Sequence, residues 1–173
     1  MAQDWIERDV LIDASRERVW EVLTTAGHVA HWFGASAQID LRPGGHAQFG
    51  WQDQAVFEAV VERVEPPSTF SYRWAREAGT EPATGKGTLV EFTLTEVPIG
   101  TLLRVVETGF ASLPLSEAEQ GQAAEGNRRG WTSELAQLKE YAERAVVLCQ
   151  VSPLPRSARL AADPVAFIRS SPG

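Results

Sequence analysis

The sequence predicts an α+β fold in which a curved antiparallel sheet of about seven strands wraps around one long C-terminal helix. Short segments with alternating apolar and polar residues fill most of the chain, and this period is typical of half-buried strands. Two short helical patterns interrupt them near the N-terminus, and a long helical pattern follows them from about residue 116 to 146. Only the long helix can cover the apolar face of such a sheet, so the order strand, two helices, six strands, helix implies this architecture.

The first strand and the two short helices are predicted from residues 6–34. In "IERDVLID" apolar and polar residues mostly alternate. The segment "ASRERVWEVLTT" then changes to helical spacing, with Ser15 as the N-cap and Gly27 as the stop signal. The segment "HVAHWF", delimited by Gly27 and Gly34, is interpreted as one or two helical turns.

Six further strands are predicted between residues 35 and 110. Their segments are, in order, "SAQIDL", "HAQFGW", "QAVFEAVVERVE", "STFSYRW", "TLVEFTLTEV" and "TLLRVVETGF". Stretches that contain proline and glycine separate them, such as "RPGG" after the first and "PIG" before the last. Because consecutive strands with short turns pair as hairpins, we expect one meandering sheet.

The long helix is predicted from an apolar stripe whose members recur at steps of three and four. The stripe consists of Trp131, Leu135, Leu138, Ala142 and Ala145. Gly126 and Gly130 each cost about 1 kcal/mol relative to alanine inside a helix, so they predict either a break or a close approach to the strands. We expect one domain over residues 1–146 and a proline-containing, poorly ordered tail over 147–173.

The composition argues against several classes of function. With a net charge of −7 and a pI near 5.0, the chain is not expected to bind nucleic acid or an anionic membrane. No apolar run approaches the roughly 20 residues of a membrane helix, and the N-terminus lacks the pattern of a secretory signal. The single cysteine, Cys149, excludes an intrachain disulfide. We therefore expect a cytoplasmic protein without a cofactor.

Several segments together resemble the START-like, or SRPBCC, superfamily, whose fold is called the helix-grip. The segments are "IDASRERVWEVLT", "HVAHWFG", "LRPGGHAQFGW", "VVERVEPPSTFSYRW", "TLVEFTLTEV", "LLRVVETGF" and "GNRRGWTSELAQLKEYAE". More narrowly, the chain is similar to bacterial proteins related to the C-terminal domain of the activator of the heat-shock ninety ATPase. The resemblance covers residues 5 to about 145 and not the tail. It implies a cavity that binds small apolar molecules, or a surface that binds other proteins.

His28 and His31 could be half of a metal site, an acid–base pair or the polar cap of a cavity. Both lie on one face of a helix, but a zinc site needs three or four protein ligands, and no further ligand has suitable spacing. We therefore expect no metal. We interpret the two histidines as partly solvated residues at a cavity rim, with Trp32 and Phe33 pointing inward.

The acidic residues of the predicted strands do not indicate an acid–base dyad. They are Glu58, Glu62, Glu91 and Glu107. Glu91 alternates with apolar residues, and Glu58 and Glu62 have the opposite parity to Phe57, so these side chains are expected to face outward. The chain has no G-x-S-x-G motif, and its cysteine falls in the predicted tail. No catalytic residue is expected.

The aromatic residues carry the functional prediction. The chain has six tryptophans, and pairs such as Phe49/Trp51 and Tyr72/Trp74 share one parity within their strands. Such residues can fill the core, and they can also form the wall of an apolar pocket. The residues expected to contact a ligand are Trp32, Phe33, Phe49, Trp51, Phe57, Tyr72, Trp74, Phe92, Trp131 and Leu135.

Three functional hypotheses follow. The first is non-catalytic binding of a small hydrophobic or aromatic ligand between the sheet and the C-terminal helix. The second is a protein-interaction module that activates a chaperone ATPase, as the resemblance implies. The third is a hydrolase or cyclase that acts on a small aromatic substrate, for which the sequence offers only His28, His31 and Tyr72 as polar groups.

Overall fold

The predicted fold class is confirmed by a computed structural model, which describes residues 4–51, 55–83 and 85–150, with side chains as far as residue 144. The strands are Trp5–Ile12 (β1), Ser36–Ile39 (β2), His46–Gly50 (β3), Val56–Glu65 (β4), Thr69–Ala75 (β5), Gly87–Val97 (β6) and Gly100–Thr108 (β7). The helices are Arg16–Thr24 (α1), Ala26–Trp32 (α2) and Glu117–Gln150 (α3). A short 3-10 turn, Phe110–Ser112, was not predicted and lies between β7 and α3.

All seven strands form one antiparallel sheet in the order β1-β7-β6-β5-β4-β3-β2. The meander brings β7 next to β6, and β1 then pairs along its whole length with β7, from Trp5 opposite Thr108 to Ile12 opposite Thr101. The register between β4 and β5 shifts at Val61, and such a bulge increases the local twist of the strand. The buried face of the sheet lies against the three helices.

The two short helices are fixed by capping and by one buried indole. The Ser15 hydroxyl accepts a hydrogen bond of 3.2 Å from the backbone N–H of Arg18, as predicted for the N-cap of α1. In α2 the Trp32 indole N–H donates to the carbonyl of Val22 at 3.0 Å. Trp32 is therefore a buried anchor that attaches α2 to α1.

Gly34 determines how the chain leaves α2. Its φ is +78°, and a Cβ at this position would lie 2.5 Å from the carbonyl oxygen of Gly50. No other residue type fits there without a backbone shift. This close approach of two backbones holds the preceding Phe33 over the sheet, where it is buried.

In the long helix α3, the glycines cause neither of the two features expected from the sequence, a break in the helix or a close approach to the strands. It continues without interruption through Gly126 and Gly130, and a Cβ at either position would meet no atom within 4 Å. The glycines therefore mark neither a break nor a close contact, and the space beside them is open. The backbone stays helical to Gln150, past the predicted end at 146, and the rest of the predicted tail (151–173) lies outside the described residues.

The described helices also bear on membrane association. None of the helices within the described ranges is both long enough and apolar enough to cross a membrane. The stripe on α3 is instead buried against the sheet: Trp131, Leu135, Leu138 and Ala142 are at most 3% exposed.

Candidate functional site

Two adjoining cavities lie between the sheet and the first half of α3. The large cavity has a volume of about 470 Å³ and is lined by Trp51, Phe57, Trp74, Ala75, Arg76, Thr88, Phe110, Leu113, Ala123, Gly126 and Asn127. The small cavity, about 170 Å³, is lined by Phe33, Trp51, Trp74, Gly126, Asn127, Gly130, Trp131 and Glu134. The large one falls within the range of small-molecule sites, which is roughly 300–1,000 Å³.

Glycines form part of the helical wall of both cavities. Gly126 lines both, and Gly130 lines the small cavity one helical turn further on. Both glycines and Arg76 are exposed, so the cavities open to solvent on this side. Because a glycine has no side chain, α3 leaves room here that any other residue would reduce.

Phe33 is the centre of the aromatic wall. Its ring centroid lies 5.2 Å from that of Phe49 and 5.0 Å from that of Trp51, both in edge-to-face geometry. The Trp131 ring stacks on it at 5.4 Å with an interplanar angle of 6°. Aromatic pairs of this kind contribute about 0.5–1.5 kcal/mol each beyond the area that they bury. The wall is therefore a rigid surface rather than a loose collection of side chains.

Behind this wall lies a fully buried carboxylate, Glu107, which is 0% exposed. Its Oε1 accepts hydrogen bonds from the Trp74 indole N–H at 3.0 Å, from the Asn127 amide at 2.9 Å and from the Thr88 hydroxyl. Its Oε2 accepts one from the Trp131 indole N–H at 2.7 Å. We call these five residues the Glu107 cluster. It connects β5, β6 and β7 to α3 through neutral donors.

The Glu107 cluster explains how the cavity walls are held in place. Trp74, Thr88 and Asn127 line the large cavity, and Trp131 lines the small one, whereas Glu107 lines neither. A carboxylate that accepts four hydrogen bonds fixes the rotamers of all four donors. Glu107 is therefore a positioning residue for the walls.

The outward orientation expected of Glu58, Glu62 and Glu91 is correct, whereas Glu107, for which no orientation was predicted, faces inward. Leu103 and Val105 are buried, and Glu107 continues their parity along β7, so a signal was present in the sequence. The remaining acids pair on the outer face. Glu62 accepts from Arg73 at 2.9 Å, and Glu91 lies 3.6 Å from Arg63.

Glu58 also belongs to the outer face of the sheet. It is the register partner of Gln48, whose side chain donates to it at 3.0 Å. The Nε2 atom of His46 lies 2.6 Å from its other carboxylate oxygen. These contacts are on the face opposite the cavities, since the neighbouring Ala47 and Ala59 are buried on the inner face.

Two ionisable groups of the interior have shifted pKa values. Burial, followed by the negative charges of Glu107 and Glu134, raises the pKa of Tyr72 well above its usual range. Burial also raises the pKa of Glu134, which lines the small cavity and accepts one long hydrogen bond of 3.4 Å from Gln137. Tyr72 is therefore a neutral phenol at ordinary pH, and Glu134 is a carboxyl group with incomplete solvation.

The structure places His28 and His31 against α3 and not among the residues that line either cavity. His28 Nδ1 shares a hydrogen bond of 2.8 Å with the Tyr141 hydroxyl, and the His31 ring stacks on the Tyr141 ring at 5.0 Å. In the described part of the chain, no three His, Cys, Asp or Glu side chains come together as a metal site would require. The two histidines attach α2 to α3.

We expect His28 to make stability depend on pH. Burial, with the nearby positive charge of Arg18, lowers the pKa of His28 below its ordinary value of 6.5. Between the folded-state pKa and about 6.5, the unfolded chain therefore binds more protons than the folded one. The free energy of unfolding should fall as the pH drops below about 6.5 and level off below the folded-state pKa. Denaturant melts of the wild type and His28→Gln between about pH 7.5 and 5.5 test this. If the free energy of unfolding changes equally with pH in both proteins, the expectation is contradicted.

The ten residues predicted to contact a ligand fall into three groups. Those that line a cavity are Phe33, Trp51, Phe57, Trp74 and Trp131. Those that surround a space of only about 10 Å³, too small for a ligand, are Trp32, Phe49, Tyr72 and Phe92. Leu135 is buried in the core and lines neither cavity. The structure thus brings half of the set together around open space.

Sequence reasoning predicted Trp131 on α3 as part of the site and missed the other α3 residues that line the cavities. The residues concerned are Ala123, Gly126, Asn127, Gly130 and Glu134. A signal existed, because Asn127 precedes Trp131 by four residues and so continues the apolar stripe towards the N-terminus. Because Asn127 is polar, the apolar stripe by itself does not include it.

Comparisons with known proteins agree on the fold. A family model described as activator of Hsp90 ATPase homolog 1-like protein matches residues 13–143. Among solved structures, protein MLL2253 from Mesorhizobium loti is 25% identical, with a TM-score of 0.69 over 81% of this chain and 97% of that one. BH1534 from Bacillus halodurans is 25% identical, with a TM-score of 0.66 over 82% and 98%.

A further similar structure is that of DynU16, described as a protein of the dynemicin biosynthetic locus. It is 26% identical, with a TM-score of 0.69, and the match covers 83% of this chain but 48% of DynU16. This chain therefore spans about half the length of that protein. No curated protein matches the chain.

Proposed function

The chain belongs to the family of activator of Hsp90 ATPase homolog 1-like proteins, and within this family we propose that it binds a small, largely aromatic molecule in the large cavity. The observation that carries the proposal is the cavity itself, about 470 Å³, between an aromatic wall on the sheet and a glycine-containing wall on α3. An apolar ligand there would contact Trp51, Phe57 and Trp74. Cavities of this size with mostly apolar walls are typical of small-molecule sites.

The polar groups of the large cavity favour binding over catalysis. Thr88 and Asn127 are its uncharged polar side chains, and both donate to the carboxylate of Glu107 behind the wall. Glu107 itself lines neither cavity, and both of its oxygens already accept hydrogen bonds. Such groups orient a ligand through fixed dipoles, and they are poorly placed to exchange protons with it.

The two alternative hypotheses would use different parts of the molecule. A module that activates a chaperone ATPase would bind its partner through the outer surface and would not need an open cavity. A hydrolase or cyclase would need a proton donor or acceptor that contacts the substrate. Glu134 is the acidic residue on the cavity walls, so activity towards any bound aromatic substrate should depend on it.

We expect Trp51→Ala to weaken binding of a neutral aromatic probe by about tenfold, because Trp51 lines both cavities and losing one aromatic contact together with the area that it buries costs about 1.4 kcal/mol. The probe is N-phenyl-1-naphthylamine, and its binding is measured in a titration through the fluorescence of the probe itself. Trp5→Ala is the matched control, since Trp5 is 46% exposed and lines neither cavity. The proposal fails if the wild type does not bind the probe, or if Trp51→Ala and Trp5→Ala bind it equally.

A further inference from the structure

We infer that the small cavity receives the cationic group of the ligand, a protonated or quaternary amine, while the large cavity holds its apolar body. The inference rests on the proposed function and specifies the chemical class of its ligand. Apart from glycines and the amide of Asn127, the lining of the small cavity contains four aromatic side chains and one carboxyl group. These are Phe33, Trp51, Trp74, Trp131 and Glu134.

The aromatic side chains supply the first part of a cation site. The ring centroid of Phe33 lies 5.0 Å from that of Trp51 and 5.9 Å from that of Trp74, and those two indoles are 6.4 Å apart. Three rings therefore meet at one corner of the cavity. Aromatic faces carry negative charge density and attract alkylammonium groups, most strongly when the rings are those of tryptophan.

The charges around the small cavity supply the second part. Glu134 is the charged residue of its lining, and it accepts a single long hydrogen bond, from Gln137. Its pKa is raised because burial removes water from the carboxylate. Behind the wall lies the carboxylate of Glu107, whose four hydrogen-bond donors are all neutral. An ammonium group beside Glu134 would therefore supply the positive charge that the walls of the small cavity lack.

Arg76 sets the orientation of such a ligand. Arg76 is the charged residue in the lining of the large cavity, whereas the small cavity carries the carboxyl group. The two cavities share the walls formed by Trp51, Trp74, Gly126 and Asn127. One molecule can thus extend through both, with its cationic end attracted towards Glu134 and repelled from Arg76.

The test compares phenyltrimethylammonium with tert-butylbenzene, which has the same shape and no charge. Binding to the wild type is followed by quenching of tryptophan fluorescence. We expect the cation to bind about tenfold more tightly than its neutral isostere. In Glu134→Gln this preference should become smaller through weaker binding of the cation, with the neutral compound unchanged, and the part that the aromatic faces supply should remain. Glu140→Gln is the matched control, because Glu140 is exposed on α3 and pairs with Arg144.

Each outcome decides the inference. A reduced preference in Glu134→Gln with an unchanged preference in Glu140→Gln supports it. Equal binding of the two compounds to the wild type overturns it, as does a preference of the same size in Glu134→Gln as in the wild type, and in both cases the proposed apolar site still stands. If neither compound binds, the inference is overturned, and the titration with N-phenyl-1-naphthylamine decides the proposed function independently.

Discussion

Glu107→Ala is expected to lower the free energy of unfolding by about 3–5 kcal/mol, because it removes the acceptor of four hydrogen bonds, two of them from the buried donors Thr88 and Trp131. The four donors are Trp74, Thr88, Asn127 and Trp131. A single domain is stabilised by only about 5–15 kcal/mol, so this loss is a large fraction of the total. Chemical denaturation measures this loss, provided that the unfolding free energy depends equally steeply on denaturant concentration in the variant and in the wild type. A loss below about 1 kcal/mol would contradict the role given to the carboxylate.

A double-mutant cycle separates the hydrogen bonds of Glu107 from the space that its side chain fills. Glu107→Gln keeps the shape but offers one oxygen and one N–H₂ group. The oxygen is best placed towards the three donors on Oε1, which leaves the N–H₂ group facing the Trp131 indole N–H. We expect Glu107→Gln to cost about 2 kcal/mol.

The second variant of the cycle is Trp131→Phe, which removes the opposing donor. In the Glu107→Gln background it also removes a donor–donor contact. The double variant should therefore be more stable than the sum of the two single losses predicts, by about 1 kcal/mol. Strict additivity would show that the contact between Glu107 and Trp131 has no energetic weight.

Gly126→Leu is expected to reduce ligand binding by more than about tenfold without destabilising the protein, because the side chain enters the cavity rather than the core. A Cβ at Gly126 would meet no atom within 4 Å, so the first added carbon costs no steric strain. Replacing a helical glycine by a good helix former also stabilises the helix by about 1 kcal/mol. Thermal denaturation and titration with the neutral probe measure the two effects.

Gly121→Leu is the control for this substitution. Gly121 lies on the same helix, also has open space around it, and lines neither cavity. Gly121→Leu should stabilise the protein by about as much as Gly126→Leu while leaving binding unchanged. If Gly126→Leu binds the probe as tightly as the wild type, the cavity is not the binding site. If it loses the probe but still binds a chaperone, the protein-interaction surface lies elsewhere on the molecule.

The secondary structure could be predicted because its signals are local. Ser15 as the N-cap, the strand periods and the stripe through Trp131 each depend on residues within a few positions of one another. The resemblance of the segments, in their order along the chain, then predicted the helix-grip fold. The composition and the parity of Trp51 and Trp74 were also sufficient to predict an aromatic wall.

The position of the cavity depended on contacts that are distant in sequence. Glu107 and Asn127 are on different elements, and the sequence pattern does not show that the amide of Asn127 donates to the carboxylate of Glu107. From the sequence, Gly126 is a residue that destabilises the helix. That it lines a cavity depends on the positions of Trp51 and Trp74 on the opposite wall. His28 likewise has its partner, Tyr141, more than a hundred residues away.

The sequence by itself therefore determined the elements, their order and the apolar character of the face between sheet and helix. Periodicity encodes these features, because each residue faces the core or the solvent according to its own element. Only the tertiary structure decided which aromatic residues fill the core and which border open space. A cavity is the volume that packed elements fail to fill, so it is a property of their arrangement and of no single segment.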